Sequence, residues 1–304
     1  MYLGIEIGGT KLQLGIGPGD GTLAGLWRGS VDVAVGGEGI RRQILAAVPE
    51  LLATSRVERS SLHGIGIGFG GPVDDATQTV IKSHQIAGWD GFPLADWLGE
   101  ALKLPATLGN DADVAGLAEA SFGAGRGMSP VFYMTIGSGI GGGLIVNGQI
   151  QRGTGKGAAE IGHLKVRDSR TSDGRLETLE NIASGWGIGR TAGMTAQEVG
   201  VAALQGDPRA RAVLDNALEA LADAICTLIV LVCPQRVVIG GGVSLIGEKG
   251  FVAPLRRKIA ERVFAPFAAL TDIVSASLGE AVVVHGALAL AHQKIQHSHA
   301  PSTN

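Results

Sequence analysis

Cysteine is nearly absent: the 304-residue chain holds two, Cys226 and Cys233. They stand seven positions apart on an expected helix, roughly 10 Å along its axis, which is too far for a disulfide. Two buried thiols in a reducing compartment are expected, and with them a cytoplasmic protein. No block of basic residues occurs and the formal net charge is −3, so neither nucleic acid nor a membrane surface is favoured as a partner. Long apolar runs are also missing. The longest, Ala224 to Cys233, stops at Pro234 and is too short to span a bilayer. Met1-Tyr2-Leu3 runs directly into a first strand, so no secretory leader is expected.

What the chain does have is glycine, 49 residues of it, in a composition of 45% hydrophobic and 17% charged residues. That balance is globular, and the length suffices for one large domain or two of ordinary size. The glycines gather at strand ends without a three-residue period, which excludes collagen and favours binding loops lined by backbone.

Strand patterns alternate with helical ones along the chain. Residues 3–17 (LGIEIGGTKLQLGIG) read as two apolar strands around a Gly8-Gly9-Thr10-Lys11 tip, with an acid, Glu6, just before it. Apolar spacing from Ile40 to Ser55 suits a surface helix despite Pro49. A buried strand follows within 63–75, then a short helix over Leu94–Leu104. Residues 109–125 read as a turn and a helix capped by Asn110 or Asp111. Residues 131–150 repeat the opening arrangement, so a duplicated architecture is expected, one glycine tip from each half. Helices dominate 186–233, a strand enters the Gly240-Gly241-Gly242 turn, and a last helix spans about Glu280 to Ile295. Residues 296–304 are polar and expected to fray, and His297 and His299 there read as tail rather than as metal ligands.

The glycine tips decide the chemistry. Gly137-Ser138-Gly139-Ile140-Gly141-Gly142 formally contains G-x-G-x-x-G, but a strand follows where a dinucleotide fold needs a helix. Gly155-Lys156 is followed by Gly157 rather than Ser or Thr, so a Walker A loop fails too. A strand-turn-strand phosphate clamp remains. Glycine lets peptide N–H groups converge on an anion, Thr10, Thr135 and Ser138 add hydroxyls, and Lys11 adds a point charge. Glu6 beside a polyphosphate makes sense with Mg²⁺ between them, held through water. A plain tight hairpin explains one such tip; two tips and a third glycine turn favour the clamp.

The segments EIGGTK, GGPVD, GNDADVAGLAE, TIGSGIGGGLIVNG, GAAEIGH, LENIASG and VVIGGGVS stand in the order seen in ROK (repressor, open reading frame, kinase) sugar kinases. The chain resembles that family from residue 3 to about 291. The resemblance implies an α/β, actin-like ATPase (ribonuclease H-like) duplicated fold, two domains around a cleft. The small domain would comprise 1–112 with the C-terminal helix of about 286–304, and the large one 113–285. It implies an ATP- and Mg²⁺-dependent hexose kinase, with glucose phosphorylated at O6. Kinases of fructose or of an N-acetylhexosamine, or a non-catalytic sugar sensor of the same fold, are the alternatives.

Phosphoryl transfer needs the attacking hydroxyl held in line and relieved of its proton, and a carboxylate ionised at pH 7 can accept it. In the family the Asp of the GND motif does so, which assigns general base to Asp111; capping of the following helix is the rival role and can coexist. Asn110, Glu160, His163 and Glu180 match the family's sugar contacts, and Gly70 and Gly71 would let backbone approach the ring. Gly8, Gly9, Thr10, Lys11, Thr135, Gly137, Ser138, Gly139 and Gly141 would cradle phosphates, Gly240, Gly241 and Gly242 would flank adenosine, and Glu6 would hold Mg²⁺ through water. The family tends to dimerise, so a homodimer is possible.

Two departures stand out. Many relatives follow the histidine of GH with cysteines that bind structural zinc, and here that stretch, 164–181, has none, so no zinc is expected and His163 is expected to be held by hydrogen bonds. Glu6 stands where Asp is commoner, one methylene longer. The family's repressors carry a DNA-binding domain ahead of the first strand, and none is expected here.

Overall fold

The computed structural model describes residues 1–83, 85–171 and 175–297. Where the sequence reading drew boundaries at 112 and 286, contacts group Met1–Arg126, Gly148–Ala158 and the segment from Leu278 onward as one unit, and Gly127–Asn147 with Ala159–Ser277 as a second.

Unit 1 begins with β1 (Tyr2–Ile7), β2 (Lys11–Gly17) and β3 (Gly25–Ser30), followed by helix α1 (Gly36–Ser55). Then come β4 (Ile65–Phe69), a short ladder of β5 (Val73–Asp74) with β6 (Thr79–Val80), α2 (Leu94–Leu102), β7 (Ala106–Asn110) and α3 (Asp111–Phe122). The sheet runs β3-β2-β1-β4-β7. β1 is antiparallel to β2 and parallel to β4, and β4 is parallel to β7. Every residue of β1 and β4 is buried, as their near-continuous apolar sequence requires of strands covered on both faces. Ile40, Ile44 and Leu51 of α1 and Leu94 and Leu98 of α2 share a core with the sheet. The other face takes the last helix, Val282–His297.

Glycine makes that second contact close. A Cβ on Gly66 of β4 would overlap the carbonyl oxygen of Ala287, and one on Gly286 would overlap that of Val114 in α3. The last helix thus meets the sheet and α3 nearly backbone to backbone, which explains glycines at strand positions that otherwise favour β-branched residues.

Unit 2 opens with β8 (Val131–Ile136) and β9 (Ile140–Val146). Residues 148–158, with the short strand β10 (Gln149–Ile150), group with unit 1. A small hairpin, β11 (Lys165–Arg167) and β12 (Leu176–Thr178), precedes α4 (Leu179–Ala183), α5 (Gly185–Ala192), α6 (Ala196–Leu204) and α7 (Pro208–Val232). β13 (Arg236–Gly240), α8 (Ala253–Ala260) and β14 (Asp272–Ser275) complete it. Within the unit the order runs β9-β8-β13-β14, antiparallel once and then parallel twice. That is the pairing pattern of β2-β1-β4-β7, and the duplication expected from the two glycine hairpins is present in both sheets.

Some expectations shift. α1 starts four residues before Ile40 and keeps Pro49 on its exposed side, where solvent meets the carbonyl that proline leaves unbonded. Cys226 and Cys233 are free but half-buried rather than buried, because the end of α7 is partly open: Leu231 is largely exposed and Cys233 forms its left-handed C-cap. The last helix spans 282–297 rather than 280–295. Residues 298–304, with His299, and the side chain of His297 lie outside the described residues. Among the described residues no helix is long and apolar enough to cross a membrane.

Candidate active site

In unit 1 the parallel strands β1, β4 and β7 end side by side, with Ile7 opposite Phe69 and Phe69 opposite Asn110. The residues that follow them, Gly8, Gly70 and Asp111, therefore gather at the carboxyl edge of the sheet, where ligands of open α/β sheets sit. Gly70 donates its N–H to the Ile7 carbonyl at 2.9 Å.

The rivalry over the helix cap is resolved here. Asn110 is the N-cap of α3: its Oδ1 accepts from the N–H of Ala112 at 2.9 Å and of Asp113 at 3.3 Å, and its Nδ2 donates to the Gly71 carbonyl at 3.0 Å. Asp111 is the first helical residue and half-buried. Its Oδ1 accepts from the Ala112 N–H at 2.9 Å, while its Oδ2 lies 3.5 Å from where a Cβ on Gly70 would stand. The capping work falls on Asn110, and one carboxylate oxygen of Asp111 faces the glycine edge. Oδ1 of Asn110 is filled, but one amide hydrogen remains for a ligand.

At the hairpin tip, Gly8 donates to the Lys11 carbonyl and the Thr10 carbonyl accepts from Val31, both at 3.0 Å. Gly9 lies against Gln85, whose side chain a Cβ would overlap. Lys11 does not project freely. Its Nζ pairs with Glu6 Oε1 at 3.0 Å and donates to the Glu280 carbonyl at 3.2 Å. Gln13 Nε2 closes the circuit, 3.1 Å from both Glu6 Oε2 and the same carbonyl. Burial pushes the Glu6 carboxyl up to about 7; Lys11 pulls it down, while the charges of Asp111 and Glu280 add to the rise. Gln13 was not singled out by motif, although counting out from the tip places it directly opposite Glu6 on the same face.

In unit 2 the second tip is built from three sources. Gly137 donates to Gly139 at 2.9 Å across the turn, and the first two N–H groups of α5 reach its carbonyls, Gly185 to Gly137 at 2.7 Å and Trp186 to Ser138 at 3.4 Å. Thr135 pairs with Gly141 on β9 and with Gly240 on β13. Gly241 follows at φ 84°, and a Cβ there would stand about 2.5 Å from the Ile136 backbone, so only glycine lets this turn lie against the end of β8. Gly242 accepts from Gln197 Nε2 at 3.0 Å. At Gly137 nothing among the described residues beyond its own chain neighbours lies within 4 Å of a Cβ position, leaving that side of the tip open.

Glu180 belongs to this tip. Its Oε2 accepts from the Ile140 N–H at 2.8 Å and sits 2.5 Å from a Cβ position on Gly139. Glu160 and His163 are exposed on either side of Ile161–Gly162, and neither side chain hydrogen-bonds among the described residues, so the expected anchoring of His163 is not found. What fastens the segment without cysteines is Asp168. Arg170 grips it through Nε at 3.0 Å and Nη2 at 2.8 Å and holds its carboxyl below the usual range. Ser169 reaches Asn216 of α7 through N–H at 3.0 Å and Oγ at 2.5 Å, and Arg170 reaches Thr191 of α5 at 2.7 Å.

The model of the ROK family matches residues 2–294. The chain belongs to the ROK family. It is 33% identical over 270 residues to a glucokinase of Halalkalibacterium halodurans, covering 81% of this chain and 82% of that one. It is 29% identical over 296 residues to an N-acetylmannosamine kinase of Escherichia coli O157:H7, covering 95% and 97%. A ROK family glucokinase from Streptomyces griseus, solved in complex with glucose and AMPPNP, superposes with a TM-score of 0.77 at 28% identity, covering 96% of this chain and 99% of that one. The fold of this ROK protein is the actin-like ATPase fold, with the repeated sheet described above.

Proposed function

We propose that this protein transfers a phosphoryl group from ATP to a hexose, glucose at O6 ahead of fructose or an N-acetylhexosamine. That it is a hexose kinase follows from its family and its kinase relatives; glucose comes first because two glucokinases, 33% and 30% identical to it, stand among those relatives. The observation that carries the mechanism is the placement of Asp111. A helix start whose cap is supplied by Asn110 holds this carboxylate rigidly, with Oδ2 facing Gly70.

Asp111 would accept the proton of the attacking hydroxyl as the new P–O bond forms. Gly70 and Gly71 would admit the sugar ring, and the remaining amide hydrogen of Asn110 would donate to one of its hydroxyls. On unit 2, taken by itself, Glu160, His163 and Glu180 are the residues proposed to meet sugar hydroxyls; the first two are exposed, with no side-chain hydrogen bond among the described residues. The 137–141 tip and Thr135 would receive phosphates, and Gly240–Gly242 would lie beside the nucleoside. The open side of Gly137 fits that use, since it leaves room beside the turn's backbone. Gly8, Gly9, Thr10 and Lys11 would do the same at the first tip, with Lys11 exchanging its Glu280 contact for phosphate.

Mg²⁺ fits the donor set at the first tip. Its acid ligand would be Glu6, a buried carboxylate that feels the charge of Asp111; in the ligand-free protein Lys11 pairs with one of its oxygens and Gln13 donates to the other. The ion would be carried by phosphates and water with one carboxylate behind. When bound, the ion neutralises charge on the transferring phosphoryl group.

The test is ADP release coupled to a chromogenic readout over glucose, mannose, fructose and N-acetylated hexoses. Sugar-dependent release with glucose preferred is expected. Binding of a sugar without ADP release for any hexose would contradict the reading.

A further inference from the structure

Gln13 has no part in the chemistry just described, yet it is among the most buried polar side chains, 2% exposed. It stands in β2 straight across the ladder from Glu6. Its Nε2 has two acceptors, Glu6 Oε2 and the Glu280 carbonyl, each at 3.1 Å. Those acceptors fix the amide's orientation: turned over, its oxygen would meet a carboxylate oxygen and a carbonyl oxygen. Oε1 therefore lies on the other side of the amide, buried, and has no hydrogen-bond partner among the described residues.

A buried acceptor left unmet is unfavourable, and proteins supply nearly all of theirs with donors. Lys11 Nζ spends two of its three N–H groups on Glu6 and the Glu280 carbonyl, and neither it nor any other donor of the described residues bonds to Oε1. A donor arriving with a ligand would meet it. Beside Glu6, the donor chemistry that matches is water on a divalent cation, whose O–H groups are polarised by the ion.

We propose that Gln13 is a positioning residue for a hydrated divalent cation, its Oε1 accepting from a metal-bound water while its Nε2 aims Glu6. This rests on the metal reading of the first tip. The amide then acts as a coupler: one end orients the acid, the other orients the ion's hydration shell, and outer-shell partners of this kind tune affinity without touching the metal.

The test uses the full chain, a non-hydrolysable ATP analogue and Mn²⁺ as probe, with Mn²⁺ affinity read by water-proton relaxation and glucose affinity by calorimetry. Gln13→Met, similar in shape but with no acceptor, is expected to weaken Mn²⁺ binding by about 10-fold or more and to leave glucose affinity unchanged. Gln13→Glu keeps an oxygen while losing the amide donor that aims Glu6, and its Mn²⁺ affinity is expected to fall less than that of Gln13→Met. A purely bracing role predicts the reverse, with Gln13→Glu the worse variant because two carboxylates then face each other. Equal Mn²⁺ affinity of Gln13→Met and wild type overturns the proposal, as does a loss in Gln13→Glu matching that in Gln13→Met. A wild-type protein that binds nucleotide but no Mn²⁺ overturns the metal reading itself. Should Gln13→Met not fold, Gln13→Asn makes the same comparison, since shortening the side chain withdraws the oxygen.

Discussion

The charge of Asp111 bears on the buried carboxyl of Glu6, two acids held at one sheet edge by β1 and the start of α3. Burial is the larger cause of the rise, which takes Glu6 from an ordinary 4.5 to about 7 despite Lys11. The folded, ligand-free protein thus holds this proton more tightly than the unfolded chain. The stability it contributes is complete below pH 4.5 and is lost as pH climbs through 7, about 3 kcal/mol in all. Urea unfolding at pH 5 and pH 8 checks this by comparison with Glu6→Gln, whose stability should vary less with pH by roughly that amount. An unchanged pH dependence in Glu6→Gln would remove the buried-acid account.

Asn110 ties the helix start to the glycine edge through three hydrogen bonds. Asn110→Ala should cost about 1–2 kcal/mol in stability, the value of a lost N-cap. It should also lower kcat, because Asp111 then loses the anchor of its helix turn. A variant with lowered stability but unchanged kcat would separate Asn110 from the chemistry. Denaturation midpoints and initial rates on the same preparation decide it.

Glu119 is fully buried, and its two oxygens accept from one local and one distant backbone group, Ala124 N–H at 2.7 Å and Leu278 N–H at 2.8 Å. Those residues lie close to two of the four points where the chain passes between units, 126–127 and 277–278. Removing the carboxylate leaves buried donors unmet, so Glu119→Ala should lower stability by about 3 kcal/mol, and Glu119→Gln by less since one acceptor survives. Equal midpoints for both variants and wild type would contradict it.

Gly66 allows the last helix to lie against β4, so Gly66→Ala must push Ala287 away. A loss of about 3 kcal/mol is expected, at the upper end for overpacking because the obstruction is backbone. Thermal or urea unfolding measures it. A fully stable alanine variant would show that the helix can withdraw freely.

Much of this was legible in the sequence where the signal is local. Apolar runs broken by glycine gave both hairpins, and their recurrence gave the duplicated sheet. The cap ambiguity between Asn110 and Asp111 was real, since both residue types cap helices, and it is the extended backbone of Asn110 with its Oδ1 on the N–H groups of Ala112 and Asp113 that separates them. What was illegible depends on partners far along the chain. Glu119 to Leu278 spans 159 residues, and the Gln13 contact to Glu280 spans 267. Glu180 read as a sugar contact, and its bond to Ile140 on the glycine tip became visible only with the fold. His163 was expected to gain hydrogen bonds in place of zinc; the polar work instead falls on Asp168 and Arg170, whose two-residue spacing carries no motif.

The decisive measurement is a split of turnover from binding in Asp111→Asn, nearly the same shape without the base. The account predicts that kcat falls by ~100-fold or more while glucose affinity by calorimetry stays near wild type. A variant that turns over at close to the wild-type rate would contradict it.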